Sequence, residues 1–376
     1  MKTNSKTIAM MLLVLLMASC KNKDNSMLTV INADGTCSRE YSFHTTEEQL
    51  MIPQEEDFDS LIDKHWERTW SVLGNDTVRY PVPLTKAQFD SIQGQDNSKD
   101  LSNCLMAHVK KQFETVQDMS DHLLMTEGFK ASSTLEKHFK WFYTDYTFTE
   151  TFAYVGPPIF PIPINRFLSA DTASYWFTGQ PDLTHNCSGE EQKEVLDKIE
   201  VKVNQWINAN WFAEFCRTIA DNYDKVKNPP VSKESFVSQC NELMMHPDIL
   251  KDTDDNVDNY KKVLDNHFHT DAYTSLLKSD SLDNYLDYDD FLSFYTNYDL
   301  VMPGKVMDAG MGEYDGNVIH YRVSGERTIP NDYKYSIKAT SRVTNIWAFL
   351  VTFFVIVLAI GSFFLRRRGS KKKSSF

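Results

Sequence analysis

The run Asp265-Asn-His267-Phe-His269-Thr-Asp271 has the strongest metal-ligand character in this sequence. On a helix His267 and Asp271 stand four residues apart, as do Asp265 and His269, so either pair can share a face. No third ligand is evident, and a solvated polar helix face accounts for the spacing better. Asp252, Asp254, Asn256 and Asp258 imitate the opening of a calcium loop. Val257 stands where that loop needs glycine and Val263 where it needs glutamate, so an acidic loop leading into a helix is the better reading. His185 and Cys187 bring a base near a thiol, but two positions apart they need not face one another, and no third group orients them. Asp287, Asp289 and Asp290 lie among Tyr285, Tyr288 and Phe291, a pattern that suits a half-buried helix better than a catalytic carboxylate pair. The sequence contains no GxSxG, HExxH, P-loop or CxxC pattern. These residues point to a non-catalytic protein with no cofactor and no metal.

Aromatic side chains are the other candidate feature: 24 Phe, 17 Tyr and 7 Trp make up 13% of the chain. Alternation places Trp66, Trp70, Trp141 and Tyr143 on one face of their strands. A curved sheet closed by helices can enclose an apolar pocket lined by such rings. A plain sheet–helix core uses the same rings without any pocket. Both readings stand at this point.

The elements that position these residues fall into two textures. From Met27 to about Val155 the apolar period is mostly two. Leu28 to Asn32, the turn Ala33-Asp34-Gly35 and Cys37 to Phe43 read as a hairpin. Trp66, Arg68, Trp70 and Val72 resume, after Gly74-Asn75-Asp76, as Val78, Tyr80 and Val82. Leu105, Ala107, Val109 and Phe113 continue the pattern, and Thr115 with Asp118 caps a short helix through Leu124. Gln93 to Asp100 is polar and reads as a loop. Phe139, Trp141 and Tyr143 alternate before Tyr146, Phe148 and Phe152, and the change of parity between Tyr143 and Tyr146 predicts a bulge or turn.

Gly156-Pro-Pro-Ile-Phe-Pro-Ile-Pro163 ends this regime. Ser188 and Glu191 then form a capping-box pattern before Leu196, Ile199, Val203, Trp206, Ile207, Trp211, Phe215 and Ile219, and Pro229-Pro230 stops that helix. A shorter helix carries Phe236, Val237, Cys240, Leu243 and Met244 up to Pro247. A third runs from Val257 to Leu276 and a fourth from Leu282 through Tyr295. Strands return with Ile319, Tyr321 and Val323 after Asp315-Gly316, and with Tyr333, Tyr335, Ile337 and Ala339. The predicted fold is α+β: one mostly antiparallel sheet built from early and late strands, with a helical insertion and one C-terminal transmembrane helix.

The two ends supply an address. Lys2 and Lys6 precede the apolar run Ile8–Met17 and then Ala18-Ser19-Cys20, which reads as a secretory signal with a lipidated Cys20. Ile346 to Leu365 is uncharged and, at 1.5 Å per residue, about 30 Å long, the thickness of a hydrocarbon core. Arg366-Arg-Arg-Gly-Ser-Lys-Lys-Lys373 follows and holds the tail in the cytoplasm by the positive-inside rule. The sequence thus predicts a bacterial inner-membrane protein with its ectodomain in the periplasm or outside the cell. The net charge is −13, and without the eight cations of the two ends 31 basic residues face 52 acidic ones. That balance excludes nucleic acid as a partner. Cys37, Cys104, Cys187, Cys216 and Cys240 have no regular spacing, so their pairing is not readable.

The resulting division is 1–20 signal peptide, 21–164 β-rich part, 165–297 helical subdomain, 298–341 returning strands, 346–365 transmembrane helix and 366–376 basic tail. A small-residue-plus-Cys20 signal, the hairpin Leu28-Thr-Val…Asp34-Gly35…Cys37, Met302-Pro-Gly-Lys-Val306, Gly316-Asn-Val-Ile-His320 and a terminal apolar helix resemble the LppM-like membrane lipoproteins. The resemblance covers the two ends of the chain. It implies first and last strands paired in one sheet, and a curved sheet that binds lipid at the cell envelope. Two functions follow as expectations: binding of a membrane lipid or other apolar envelope ligand, or a structural or signalling partnership with another envelope protein through the acidic helical subdomain.

Overall fold

A computed structural model describes residues 25–372 apart from 59, 74–77, 96–103, 125–128, 156–159, 186, 252–255, 279–294 and 330–331. The described residues form twelve strands in the order β1 Ser26–Ile31, β2 Cys37–His44, β3 Glu67–Val72, β4 Tyr80–Pro81, β5 Leu105–Phe113, β6 Phe129–Lys140, β7 Tyr143–Tyr154, β8 Tyr295–Val301, β9 Lys305–Asp308, β10 Glu313–Asp315, β11 Val318–Ser324 and β12 Ser336–Thr344. The main helices are α1 Lys86–Gln95, α2 Val116–Asp121, α3 Ala170–Thr178, α4 Gly189–Asp221, α5 Lys233–Leu243, α6 Asn256–Phe268 and α7 Ile346–Lys372. The fold is α+β with mostly antiparallel pairing, and early strands do join late ones.

The strands divide into two sheets. The larger has eight strands in the order β10-β11-β8-β1-β2-β5-β3-β4, and the smaller has four in the order β6-β7-β12-β9. In the larger sheet the early hairpin β1–β2 meets the late strands through one parallel pair, Ser26 to Val30 of β1 against Asn297 to Val301 of β8. In the smaller sheet β12 pairs along its whole length with β7, from Ser336↔Thr151 to Thr344↔Tyr143. The first and last strands therefore lie in different sheets, not in one as the resemblance implied. Two amphipathic sheets bury more apolar surface against each other than one open sheet of twelve strands could. Their inner faces meet at Phe152 of β7 and Tyr298 of β8, ring centroids 6.3 Å apart.

A polar clasp crosses the same interface. Arg39 on β2 donates to both carboxylate oxygens of Glu150 on β7, at 2.9 and 2.7 Å, and neither side chain is exposed. Tyr298 Oη and Ser133 Oγ also donate to Glu150, and Arg39 Nε donates to Thr29 Oγ1. Burial alone would lower the Arg39 pKa, but the Glu150 carboxylate more than offsets it and holds the guanidinium above its ordinary value.

The helical insertion is organised by α4. Ser188 Oγ accepts from Glu191 N while the Glu191 carboxylate accepts from Ser188 N, the reciprocal cap that the sequence announces. The helix closes at Asp221, well before Pro229-Pro230. Its buried flank carries Trp206, Phe212 and Phe215, and Tyr260 of α6 packs edge-on against both phenylalanines. Asn210 ties the proline-rich segment to this helix: its Oδ1 accepts from Ile162 N, and Trp206 Nε1 donates to Ile162 O. Phe268 ends α6, because His269 adopts a φ of 54°, and Leu276 falls on a separate turn, Thr274–Lys278. The fourth expected helix, Leu282 to Tyr295, lies outside the described residues except for Tyr295, which opens β8. Lys86 to Gln95 is helical, so the expected loop does not begin at Gln93.

Ile346–Phe364 is long and apolar enough to cross a membrane, with a mean hydropathy of 2.5. Only Asn345 separates it from β12, which continues to Thr344 instead of ending near Ser341. The returning strands therefore run three residues past the expected boundary at 341. Cys20 and the signal segment lie outside the described residues.

Candidate functional site

The four aromatic residues singled out by alternation do not come together. Trp66, one residue before β3, and Trp70 on β3 are buried against the larger sheet. Trp66 lies 6.0 Å from the Tyr41 ring and 6.1 Å from Phe113. Trp70 stacks on Tyr80 at 4.6 Å and donates Nε1 to Pro81 O. Trp141 belongs to no strand. It occupies, with Phe142, the two-residue turn between β6 and β7, where Lys140 pairs with Tyr143. The parity change in the sequence is this turn, displaced by a few residues from where alternation put it. Tyr143 opens β7 in the smaller sheet, with the Arg342 guanidinium 3.9 Å from its ring centre. Trp66 and Trp70 thus build the core of one sheet, while Trp141 and Tyr143 stand beside α7 at the end of the other.

The metal and nucleophile candidates are also dispersed. Asp265 accepts a hydrogen bond from Thr274 Oγ1, and His267 Nε2 lies 2.8 Å from Gln239 Oε1. Asp271 falls beyond the end of α6, so the helical spacing with His267 does not exist. Asp258 pairs with Lys261, and Asp252 and Asp254 lie outside the described residues, as do Asp287, Asp289 and Asp290. His185 sits 3.7 Å from Asp182 and is exposed. Among the described residues no three His, Cys, Asp or Glu side chains gather as metal ligands.

One constellation escaped the sequence reading. His108 on β5 is flanked by Ser42 Oγ at 2.7 Å from Nδ1 and by Ser71 Oγ at 2.8 Å from Nε2. A serine–histidine pair is the start of a nucleophile–base arrangement, but that arrangement needs one ring nitrogen for an orienting acceptor. Here hydroxyls occupy both. His108 and Ser71 are buried, and the nearest carboxylate, Glu40 at 4.0 Å, is paired with Arg79 at 2.5 Å. The cluster satisfies polar groups within the sheet. Ser42, Ser71 and His108 come from three strands, so no sequence spacing could have announced them.

An open cleft of about 730 Å³ lies between the N-terminal half of α4 and the β11 side of the larger sheet. Alternation along β11 turns Ile319, Tyr321 and Val323 inward and His320 and Arg322 outward. Arg322 lies over the ring of Tyr295 at 4.2 Å. The turn Gly325–Thr328 then brings Arg327 over the ring of Trp176 at 4.6 Å, with Tyr335 at 5.8 Å. Neither guanidinium forms an ion pair among the described residues. The indole Nε1 of Trp176 is buried and has no hydrogen-bond partner among the described residues. Across the cleft α4 presents Lys193, Leu196, Asp197 and Glu200, and β10 adds Glu313.

This geometry has a definite chemical capacity. Ring stacking fixes the plane of each guanidinium while leaving N–H edges for an incoming carboxylate or phosphate. The acidic side chains of the opposite wall suit a cation on the same ligand. The site thus suits a polar ligand of mixed charge. Sequence reasoning missed it because Arg322 and Arg327 look like ordinary surface cations, and Trp176 lies in α3, which was not read as a helix. The available signals were Ser169, whose hydroxyl caps α3 at Thr172 N, and Gly179, which ends it at a φ of 72°.

The five cysteines of the described residues are free, and Cys37, Cys216 and Cys240 are buried. Burial, then the neighbouring Cys240, pushes the Cys216 thiol well up, and burial pushes Cys37 up to about 11. The chain matches no family model, no curated protein and no solved structure.

Proposed function

We propose that this chain is a non-catalytic, membrane-anchored envelope protein whose ectodomain holds a peptide-like segment of another envelope protein in the α4–β11 cleft. The observation that carries the reading is the pair of ring-stacked guanidiniums, Arg322 and Arg327, facing an open polar cleft with no ion-pair partner among the described residues. A peptide offers carboxylates to these two and ammonium or guanidinium groups to Asp197 and Glu200. The anchor in this reading is α7, with Cys20 acylated as a second tether. The basic residues after Leu365 face the cytoplasm, and the ectodomain faces the periplasm or the exterior.

Binding of an acyl lipid is the competing reading, suggested by the LppM-like ends. It requires an apolar cavity, and of the four rings that were to line it, Trp66 and Trp70 are packed onto Tyr41, Phe113 and Tyr80 instead, away from Trp141 and Tyr143. Native mass spectrometry of residues 21–345 purified without detergent separates the two. The proposal expects a bare polypeptide mass. A stoichiometric phospholipid adduct that survives delipidating washes would select the lipid carrier and overturn the proposal.

A further inference from the structure

The turn Trp141-Phe142 is the end of the longest hairpin among the described residues, and apolar rings cluster around it. Phe139 is 61% exposed, Trp141 47% and Phe142 39%. All three rings contact the first turns of α7. Phe139 stacks parallel to Trp347 at 6.3 Å, Trp141 meets Trp347 edge-on at 5.3 Å, and Phe142 lies 4.7 Å from Phe349. Trp141 Nε1 donates to Thr352 Oγ1 at 2.9 Å.

Hydrogen bonds set the height of the hairpin along that helix. Asn345 N donates to Phe142 O, and Asn345 Nδ2 donates to Lys140 O. The turn backbone is therefore level with Asn345, just before the apolar run begins. Its side chains continue downward to Thr352. Six residues of helix at 1.5 Å each place Thr352 about 9 Å beyond Ile346. The apolar run from Ile346 to Leu365 is about 30 Å long and is closed by Arg366, so it fits a hydrocarbon core only if Ile346 lies at its outer boundary.

We infer that the β6–β7 turn is a membrane-inserted aromatic finger: the rings of Phe139, Trp141 and Phe142 sit in the outer leaflet of the bilayer that α7 crosses. This rests on α7 being the membrane anchor. The occupant of the patch is lipid because the patch is continuous with the lipid-facing surface of α7. Trp347 and Phe349 are themselves about half exposed beside it. Contiguous exposed rings of this kind on a water-facing surface would be an association liability, whereas tryptophan at the bilayer interface is a favoured position. The polar atoms agree. The indole N–H of Trp141, which hydrocarbon could not satisfy, finds its acceptor in Thr352 Oγ1. Above the rings, the Lys140 backbone is level with Asn345 at the hydrocarbon boundary, and its ammonium, 5.6 Å from the Tyr143 ring centre, can reach outward to phospholipid phosphates.

The test uses the full chain reconstituted into phosphatidylethanolamine–phosphatidylglycerol vesicles. A diazirine-bearing phenylalanine replaces, in separate samples, Phe142, Leu358 on α7, or Thr134, which is exposed on β6 about 20 Å up the strand from Lys140. After illumination, mass spectrometry identifies what each carbene captured. The inference expects acyl-chain adducts at positions 142 and 358 and water adducts at 134. Water adducts at 142 with acyl-chain adducts at 358 would overturn the finger and leave the anchor standing. Water adducts at both 142 and 358 would overturn the anchor and the finger together.

Discussion

Arg39 on β2 and Glu150 on β7 are 111 residues apart in sequence and meet at 2.7 Å with neither side chain exposed. They fasten the larger sheet to the smaller beside the Phe152–Tyr298 contact. A buried ion pair gains little over a well-packed apolar pair, but half of one is costly, because the survivor keeps a charge that nothing neutralises.

That asymmetry gives a stability prediction. Glu150→Gln or Arg39→Met alone should destabilise the protein by about 3–5 kcal/mol. The double substitution Arg39→Met/Glu150→Leu should recover most of the loss. Urea unfolding of the full chain in detergent micelles, followed by tryptophan fluorescence, measures both. Equal losses in the single and double variants would mean that the pair contributes packing and no charge compensation.

The buried thiols and phenols fix the direction of the pH dependence. Burial raises Cys37 from 9.0 to about 11, and it also raises Tyr41, Tyr298 and Tyr335. A raised folded-state pKa means that the folded chain holds its proton more tightly than the unfolded chain does. The stabilisation is complete below about pH 9 and is lost as pH rises through 11. The melting temperature should therefore be flat near neutrality and should drop across that alkaline interval. Thiol titration of the folded chain at pH 8 should find the half-buried Cys104 and Cys187 reactive and Cys37, Cys216 and Cys240 protected until unfolding.

Where the chain is cut before α7 should matter. Truncation after Ser341 removes the pairs that Arg342 to Thr344 make with Tyr143 to Asp145, and the 2.6 Å contact of Arg342 with Asp145. Truncation after Asn345 keeps them. The shorter product should melt several degrees lower than the longer one. Cell fractionation then tests the second tether: truncation after Asn345 should leave the protein on a membrane, and adding Cys20→Ala should release it into the periplasm. Release by truncation alone would show that Cys20 carries no lipid.

The sequence was legible wherever a local device fixes the chain. Asp34-Gly35 announces the β1–β2 hairpin, with Gly35 at a φ of 105°. Ser188 with Glu191 announces α4, and Asp315-Gly316 the β10–β11 turn. Alternation found most strands because each sheet buries one face, but it could not say which sheet a strand joins. Parity reports a face and is silent about the neighbour, and so β1 and β12 were expected together. The Trp141-Phe142 turn was misplaced for another reason. Two-residue hairpin turns usually take residues that tolerate positive φ. Neither residue here is Gly, Asn or Asp, and neither adopts a positive φ, so the change of parity after Tyr143 was the sole sign of a turn and put it a few residues late. The cleft was invisible because Trp176, Arg322 and Arg327 are joined by tertiary packing alone.

The central claim is that the α4–β11 cleft receives a protein segment through Arg322 and Arg327. Photocrosslinking in living cells from a benzoylphenylalanine at Leu196, on the α4 wall of the cleft, tests it most directly. The account predicts one discrete protein adduct from the unaltered cleft, reduced at least about tenfold by Arg322→Ala/Arg327→Ala, the loss expected when two charge-assisted contacts are removed. The same adduct at undiminished yield in the doubly substituted protein, or adducts to lipid alone, would contradict it.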